Sequence, residues 1–455
     1  MTKIAIIGGG LSGLTTAFYL NQADPTIEWH LYEASPRFGG HIQTVHQQGY
    51  VIEKGPDSFL ARKPAGMQLI KDLGLTNQLV ANATGQSYIC HHGHFYPIPE
   101  GAVMGIPTKI GPFLKSPLFT VRGKLRVLYE LIKRSEPRVG DQSLGTFFEQ
   151  RFGEEMVNRL IEPLFSGIYA GDLKQMSLRT TYPAMEQLLD THGSLLKGLR
   201  KQQKQFVTTG TKKTTGAFRT LSGGMIQLIN TLVAQLPPER LQANQGIERV
   251  SELPNQRYQL TFVDGSQTSV DEVVFAITQP QVARLLPELN SPLAGQTVSS
   301  SATVSLGYRQ SEIPSLPEGT GFLMTRAKAE QMTACTWVHT KWPHMVPKGR
   351  VLLRIFLGRS DQPNISRMSD SELIVLAQQQ ASALMGITAS PEVVEVSKMS
   401  ETMPQYAVNH HMRVEQLRQQ TAGKHLHFIG MSYEGVGMPD CIRLAKECAD
   451  NLKNK

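Results

Sequence analysis

The chain is 455 residues long, 40% hydrophobic and 18% charged, with a formal net charge of +8. Its length exceeds the usual single-domain range, so two or more domains around a sizeable core are expected. Neither an apolar stretch long enough to span a bilayer nor a basic, apolar leader is visible, which favours a soluble cytoplasmic chain, and Cys90, Cys335, Cys441 and Cys448 are too sparse for a disulfide framework.

The first element reads as a strand. Ile4, Ala5, Ile6 and Ile7 form a short apolar run suited to a buried parallel strand, and Leu11, Leu14, Ala17, Phe18 and Leu20 then recur at helical spacing. The turn between them, Gly8-Gly9-Gly10-Leu11-Ser12-Gly13, matches G-x-G-x-x-G. In that pattern the first glycine allows a tight turn, the second lets backbone approach a pyrophosphate, and the third lets helix pack on strand. The pyrophosphate meets the helix N-terminus, whose free N–H groups and dipole favour anions. A second strand over residues 27–32 ends at Glu33, twenty residues beyond Gly13, where a carboxylate accepts bonds from ribose hydroxyls and repels a 2′-phosphate.

After Glu33 and Ala34 the chain turns on glycine again, in EASPRFGGHIQTV, with Arg37, Gly39 and Gly40. A plain dehydrogenase crossover continues into strand and helix, whereas a second glycine turn carrying an arginine suggests another pyrophosphate contact. This R-x-G-G segment resembles that of the FAD-dependent amine oxidase superfamily, with His41 where many members have arginine.

Turn residues and short apolar runs then suggest strands up to residue 107, and helical patterns such as GKLRVLYELIKR and SLGTFFEQRFGEEMVNRLIEPLF fill 108–200, broken by Pro112, Pro117 and Pro137. The stretch 191–238 has no Asp or Glu but carries Lys197, Arg200, Lys201, Lys204, Lys212, Lys213 and Arg219. Its polar part reads as an exposed connection, without the interleaved aromatics of a nucleic-acid site. Alternating strands with a hairpin signal at Asp264-Gly265 follow, then a helix near 370–386, then a closing strand, glycine turn and helix in KHLHFIGMSYEGVGMPDCIRLAKECADNL. CHHGH at 90–94 is crowded onto one turn without a paired cluster, so no metal site is expected. His410 and His411 read as ordinary histidines, and no catalytic acid or base stands out.

Six segments in series, GPDSFLARKPAG (55–66), GAVMGIPTKIGPF (101–113), EPLFSGIYAGD (162–172), ACTWVHTKWPH (334–344), MPQYAVNHHMR (403–413) and SYEGVGMPDCI (432–442), resemble the bacterial porphyrinogen oxidases of haem synthesis within that superfamily. The resemblance implies an α/β fold. It has a discontinuous Rossmann-type FAD-binding domain (1–60, about 220–275 and 390–455), a β-sheet substrate domain (about 61–107 and 276–389) and a helical insertion (about 108–219) with a membrane or partner contact. It implies FAD on Gly8 to Gly13, Glu33, Ala34, Arg37, Gly39, Gly40, Gly55, Pro56, Asp57, Ser58, Val250, Met399, Gly430, Val436, Gly437 and Met438. Met399 and Ala445 depart from the tryptophan and glycine common in relatives.

The implied reaction is the six-electron oxidation of coproporphyrinogen III to coproporphyrin III, with dioxygen as acceptor and hydrogen peroxide as product. Protoporphyrinogen is the alternative substrate, and amine or carotenoid oxidation the alternative chemistry in the same fold. Lys63 and Arg62 are the candidates for propionate contact, Ile168 for a cavity wall and Phe356 for stacking on a ring. Their plain readings are solvated cations, ordinary core and strand packing. The expected partners are the porphyrinogen, dioxygen, and a haem-pathway enzyme or the inner membrane face.

Overall fold

The computed structural model describes residues 2–83, 85–133, 140–208, 216–326, 331–359 and 363–453. Strands β1 (Lys3–Ile7) and β2 (Glu28–Tyr32) lie inside a five-stranded sheet ordered Leu241–Gln242, β2, β1, Glu272–Phe275, Leu426–Phe428, with every pair parallel. Both faces are covered, which is why β1 is an unbroken apolar run rather than an alternating one. Helix α1 (Leu11–Ala23) is buried from Leu11 through Leu20. It is enclosed by the sheet, the helix Ile226–Ala234 and the closing helix Met438–Leu452, so it carries no polar stripe. Thus the two ends of the chain form one layer of the nucleotide unit.

A second unit is built on a seven-stranded sheet in the order Val393–Pro404, Val298–Arg309, Arg350–Leu357, Met332–Trp337, Gly321–Met324, Tyr88–His91, His94–Pro97. The strand Val393–Pro404 pairs with Val298–Arg309 from Val298↔Pro404 to Gly307↔Val393. The return to the nucleotide unit expected near residue 390 therefore comes only after Pro404, because backbone pairing holds those residues in the other sheet. CHHGH is the hairpin between Tyr88–His91 and His94–Pro97, with His92 and Gly93 both at positive φ and Cys90 fully buried.

The insertion is helical as expected, from Ile110–Lys115 through Leu195–Thr208, around its own core of Phe147, Phe148, Phe152, Leu160 and Phe165. Lys212 and Lys213 lie outside the described residues. No helix among the described residues is long and apolar enough to cross a membrane.

β3 (Thr44–Gln47) and β4 (Tyr50–Glu53) form a hairpin wedged between the two units. The chain then runs through 54–58 to helix α2 (Pro64–Asp72), which packs on the closing helix. The hairpin and that loop position the site.

Candidate active site

The glycine turn after β1 separates into two kinds of position. Gly8 sits at φ +106°, and a Cβ there would lie 2.8 Å from the Ala276 carbonyl oxygen; at Gly13 a Cβ would fall 2.0 Å from the Gly8 carbonyl oxygen. Both glycines are required by the chain's own packing. A Cβ on Gly10 would have only the Gly40 Cα within 4 Å, at 3.8 Å. Its missing side chain leaves a cradle, closed on one side by the second glycine turn: Gly10 and Gly39 form a parallel bridge, and the Gly39 N–H donates to the Gly9 carbonyl at 2.8 Å. The first intrahelical bond of α1 runs from the Leu14 N–H to the Gly10 carbonyl. The N–H groups of Leu11, Ser12 and Gly13 precede it and face the ligand end.

Glu33 ends β2 beside this cradle. Its carboxylate accepts from the Gly9 N–H and the Ser35 N–H, each at 2.8 Å. Each oxygen keeps a further lone-pair direction for a ribose hydroxyl. Ala34 and Arg37 are exposed, and the Arg37 guanidinium donates to the Gly40 carbonyl at 2.9 Å. Gly430, at φ +102°, would place a Cβ 3.5 Å from the Ser12 Oγ, so the closing segment lies over the start of α1. Val436 and Gly437 are half-buried there, and Met438 is buried at the head of the closing helix. Val250 differs from expectation. It is 0% exposed in a core with Tyr258, Leu260 and Val273, so its side chain presents no surface to a ligand.

The flavin-side loop 54–58 is fixed from three directions. A Cβ on Gly55 would fall 1.8 Å from the His41 carbonyl oxygen, which seats the loop directly on the R-x-G-G turn. From the seven-stranded sheet, Arg354 donates to the Gly55 carbonyl at 2.7 Å and Ser397 to the Lys54 carbonyl at 2.8 Å. Half-buried Pro56 lies between these anchors and Asp57. Asp57 accepts from Ser58 at 2.7 Å, Lys341 at 2.8 Å and the Trp342 indole at 3.2 Å. Burial pushes the Asp57 carboxyl up, but Lys341 and Arg354 outweigh it and hold it well below the usual carboxylate range.

Alternation in the sheet decides what faces this loop. Ala302, Val304, Leu306, Leu353, Ile355 and Leu357 pack in one core with Leu373, Ala377 and Ala381 of the helix Asp370–Met385. The opposite face carries Ser301, Thr303, Ser305, Arg354 and Phe356, with register pairs Thr303↔Phe356 and Ser305↔Arg354. Met399 shares that face, opposite Ser301 and one row from Phe356. The Arg354 guanidinium lies 4.9 Å from the Phe356 ring centroid, and its Nε has no hydrogen-bond partner among the described residues although Arg354 is 4% exposed.

Glu53, beneath this face, accepts from the Met225 N–H at 2.6 Å and the Thr44 hydroxyl at 2.8 Å. Burial pushes its carboxyl up to about 7 against those bonds and the charge of Arg354.

Lys63 precedes α2 and is ion-paired with Asp440, at 2.5 Å, in the first turn of the closing helix. Arg62 is exposed. Ile168 belongs to the helix Glu162–Tyr169, but its side chain lies outside the described residues. The next residue, Tyr169, has its phenol pushed up by burial and by Asp440, so that helix end and the Lys63–Asp440 pair are neighbours. His410 is 1% exposed, stacks on Tyr406 at 4.5 Å and is pushed down to about 4 by burial, a neutral core histidine. Ala445 is fully buried, with the Thr16 hydroxyl 3.4 Å from its carbonyl. Its methyl lies in the helix pair behind the site.

A profile of flavin-containing amine oxidoreductases matches residues 11–453. The chain belongs to that family. The cofactor of this FAD-dependent oxidoreductase is FAD, and the Gly10 cradle, the Glu33 carboxylate and the loop at Gly55 fit it. The chain is 41% identical over 452 residues to coproporphyrinogen III oxidase of Bacillus subtilis (strain 168), covering 97% of this chain and 96% of that one. It is 36% identical to coproporphyrinogen III oxidase of Staphylococcus aureus (strain NCTC 8325 / PS 47), covering 99% of each. A crystal structure from Exiguobacterium sp. 255-15, provisionally assigned as a protoporphyrinogen oxidase, superposes with a TM-score of 0.89 at 35% identity, covering 100% of this chain and 99% of that one.

The sequence reading missed Glu53, Lys341, Arg354 and Asp440. Arg354 left a signal, a lone cation at an inward position of an apolar strand. Lys341 stood inside a quoted motif, without anything to say that it reaches Asp57.

Proposed function

We propose that the chain oxidises coproporphyrinogen III to coproporphyrin III and passes the electrons to dioxygen. The end-to-end identity with two coproporphyrinogen III oxidases carries this reading. The balance is six electrons and six protons removed from the porphyrinogen, and three dioxygen molecules reduced to three hydrogen peroxide. FAD supplies a two-electron acceptor, so three rounds are needed.

The residues of the chain bind and orient. Phe356 and the helix of Ile168 supply apolar wall, and Arg354, Arg62 and Lys63 supply positive charge for propionates. Lys63 meets a propionate by exchanging its bond to Asp440, a lysine being an adaptable point charge. Lys63→Ala raises KM for coproporphyrinogen with little change in FAD retention, Lys63→Glu raises it further, and Asp440→Asn, which frees Lys63, lowers it. Equal KM for Lys63→Glu and the parent at low salt, where screening is weakest, removes Lys63 from the substrate site.

The reaction itself is tested by mixing the holoenzyme anaerobically with coproporphyrinogen III or protoporphyrinogen IX, following flavin absorbance, and then admitting oxygen. Bleaching by coproporphyrinogen, with peroxide and colour returning on oxygen, is expected. Bleaching by protoporphyrinogen alone overturns the substrate, and no return of colour overturns the acceptor.

A further inference from the structure

Arg354 carries a donor that the fold does not use. Among the described residues its Nε is the only guanidinium or ammonium nitrogen that is buried without a hydrogen-bond partner. The side chain is firmly held, since Nη2 donates to the Gly55 carbonyl at 2.7 Å and the guanidinium lies over the Phe356 ring. A partnerless donor on a residue 4% exposed has no water to turn to, so it marks a place for an acceptor.

The charges around Arg354 leave its own unbalanced. In the sheet it stands between Ser305 and Thr336, both neutral. Glu395, next in that row beyond Ser305, is taken by Lys54. Asp57, on the flavin-side loop, is taken by Lys341, Ser58 and the Trp342 indole. Asp57 and Glu53 act on Arg354 through space, and among the described residues neither is ion-paired with it. Burial pushes the guanidinium down from its ordinary value, yet an arginine keeps its charge inside a protein. Lys54 and Lys341 therefore cancel Glu395 and Asp57. What remains is Arg354 with Glu53, whose carboxyl burial pushes up to about 7 and which supplies only part of a compensating charge.

We infer that Arg354 is the cation that balances the negative charge FAD takes up when it is reduced. Each round moves a hydride, two electrons with one proton, from a bridge carbon of the porphyrinogen to the cofactor, and the substrate sheds the matching positive charge as an N–H proton. One negative charge then stays at the cofactor until dioxygen takes the electron pair with two protons, one of them the proton of the hydride. A fixed cation in a site without water stabilises that charge, and charge beside the ring is a lever by which a protein tunes a flavin. The anchor at Gly55 puts Arg354 on the cofactor side, because Gly55 is the residue seated on the His41 carbonyl of the R-x-G-G turn. A propionate draws on the same charge only when substrate is bound. The inference rests on FAD as the cofactor and not on which porphyrinogen is oxidised, so it is tested without substrate.

Sulfite adds to oxidised flavin and leaves a negative charge on the ring, so its dissociation constant, read from bleaching of the flavin band, reports the cation. Arg354→Met should weaken sulfite binding tenfold or more, since one opposite charge nearby shifts such an equilibrium by about one to three powers of ten. Arg354→Lys, which keeps the charge, should retain most of the parental affinity. Ser397→Ala frees the same loop at the Lys54 carbonyl without removing charge and should leave the affinity unchanged. All are compared at parental FAD content. Because Arg354→Met can fail to fold or lose FAD along with the Gly55 anchor, the parent provides a second measurement: one-electron photoreduction should give the red anionic flavin radical, not the blue neutral one. Equal sulfite affinity in Arg354→Met and the parent, equal weakening by Ser397→Ala, a loss in Arg354→Lys as large as in Arg354→Met, or a blue radical in the parent overturns the inference.

Discussion

Glu53 and Glu33 are both carboxylates accepting two hydrogen bonds, yet burial gives them opposite consequences. Glu53 is 4% exposed, and burial pushes its carboxyl up to about 7. Its folded pKa lies above the unfolded carboxylate value, so the native state binds the extra proton and stability falls as pH rises from about 4.5 to about 7. Glu53→Gln removes that slope. Melting temperatures of the holoenzyme at pH 5 and pH 8 should show the variant gaining on the parent at the higher pH, by up to roughly 3 kcal/mol; a difference independent of pH rejects the assignment. Glu33, half-buried at the cradle, should instead govern the cofactor. Glu33→Ala removes bonds to a charged group worth about 1.5–3 kcal/mol, so FAD affinity falls one to two orders of magnitude in titration of the apoprotein. Glu33 was legible in the sequence because its spacing from Gly13 follows from the length of one helix and one strand. Glu53 was not, since the groups around its carboxylate, the Met225 N–H that donates to it and the charge of Arg354, come from far away in the chain.

At the scale of elements, the turn before α1 makes a separable prediction. Gly13→Ala drives a methyl into the Gly8 carbonyl and should prevent folding, read as loss of soluble, melting-competent protein. Gly10→Ala, at a φ of −75° that alanine adopts readily, should leave the apoprotein's melting temperature within a few degrees while weakening FAD by tenfold or more. Equal FAD affinity in Gly10→Ala and the parent would show that the cofactor does not enter this cradle. The glycine pattern alone treats these positions alike, and only the packing distances separate them. Alternation was similarly readable in 298–309, where serine and threonine interleave with Ala302, Val304 and Leu306. Which of the two faces meets the site was not, because that depends on where the helix Asp370–Met385 packs. Val250 shows the limit of carrying a role over by resemblance, for its strand is present but its side chain is sealed in core.

Across the whole molecule, the two units are joined by Lys341 to Asp57, Arg354 to Gly55 and Lys54 to Glu395. Lys341→Met leaves Asp57 with Ser58 and Trp342 as donors and should cost about 2 kcal/mol of stability. The pH dependence follows from the depressed Asp57 pKa. Its contribution is complete above the ordinary carboxylate range and fades as pH falls below it, so the gap between parent and variant in denaturant melts should narrow from pH 7 to pH 3. A gap unchanged over that range rules out the ion pair as its source. The division into units was readable from the sequence, but the place where the chain returns was not, since Val393–Pro404 alternates and pairs like any strand of the second sheet. That return has a temporal consequence. The strand Leu426–Phe428 and the closing helix, both parts of the nucleotide unit, are made some 400 residues after β1 and α1. Until the closing helix leaves the ribosome, the side of α1 that packs on it has no cover, and the nascent chain must hold α1 unfinished while the second sheet and the insertion form.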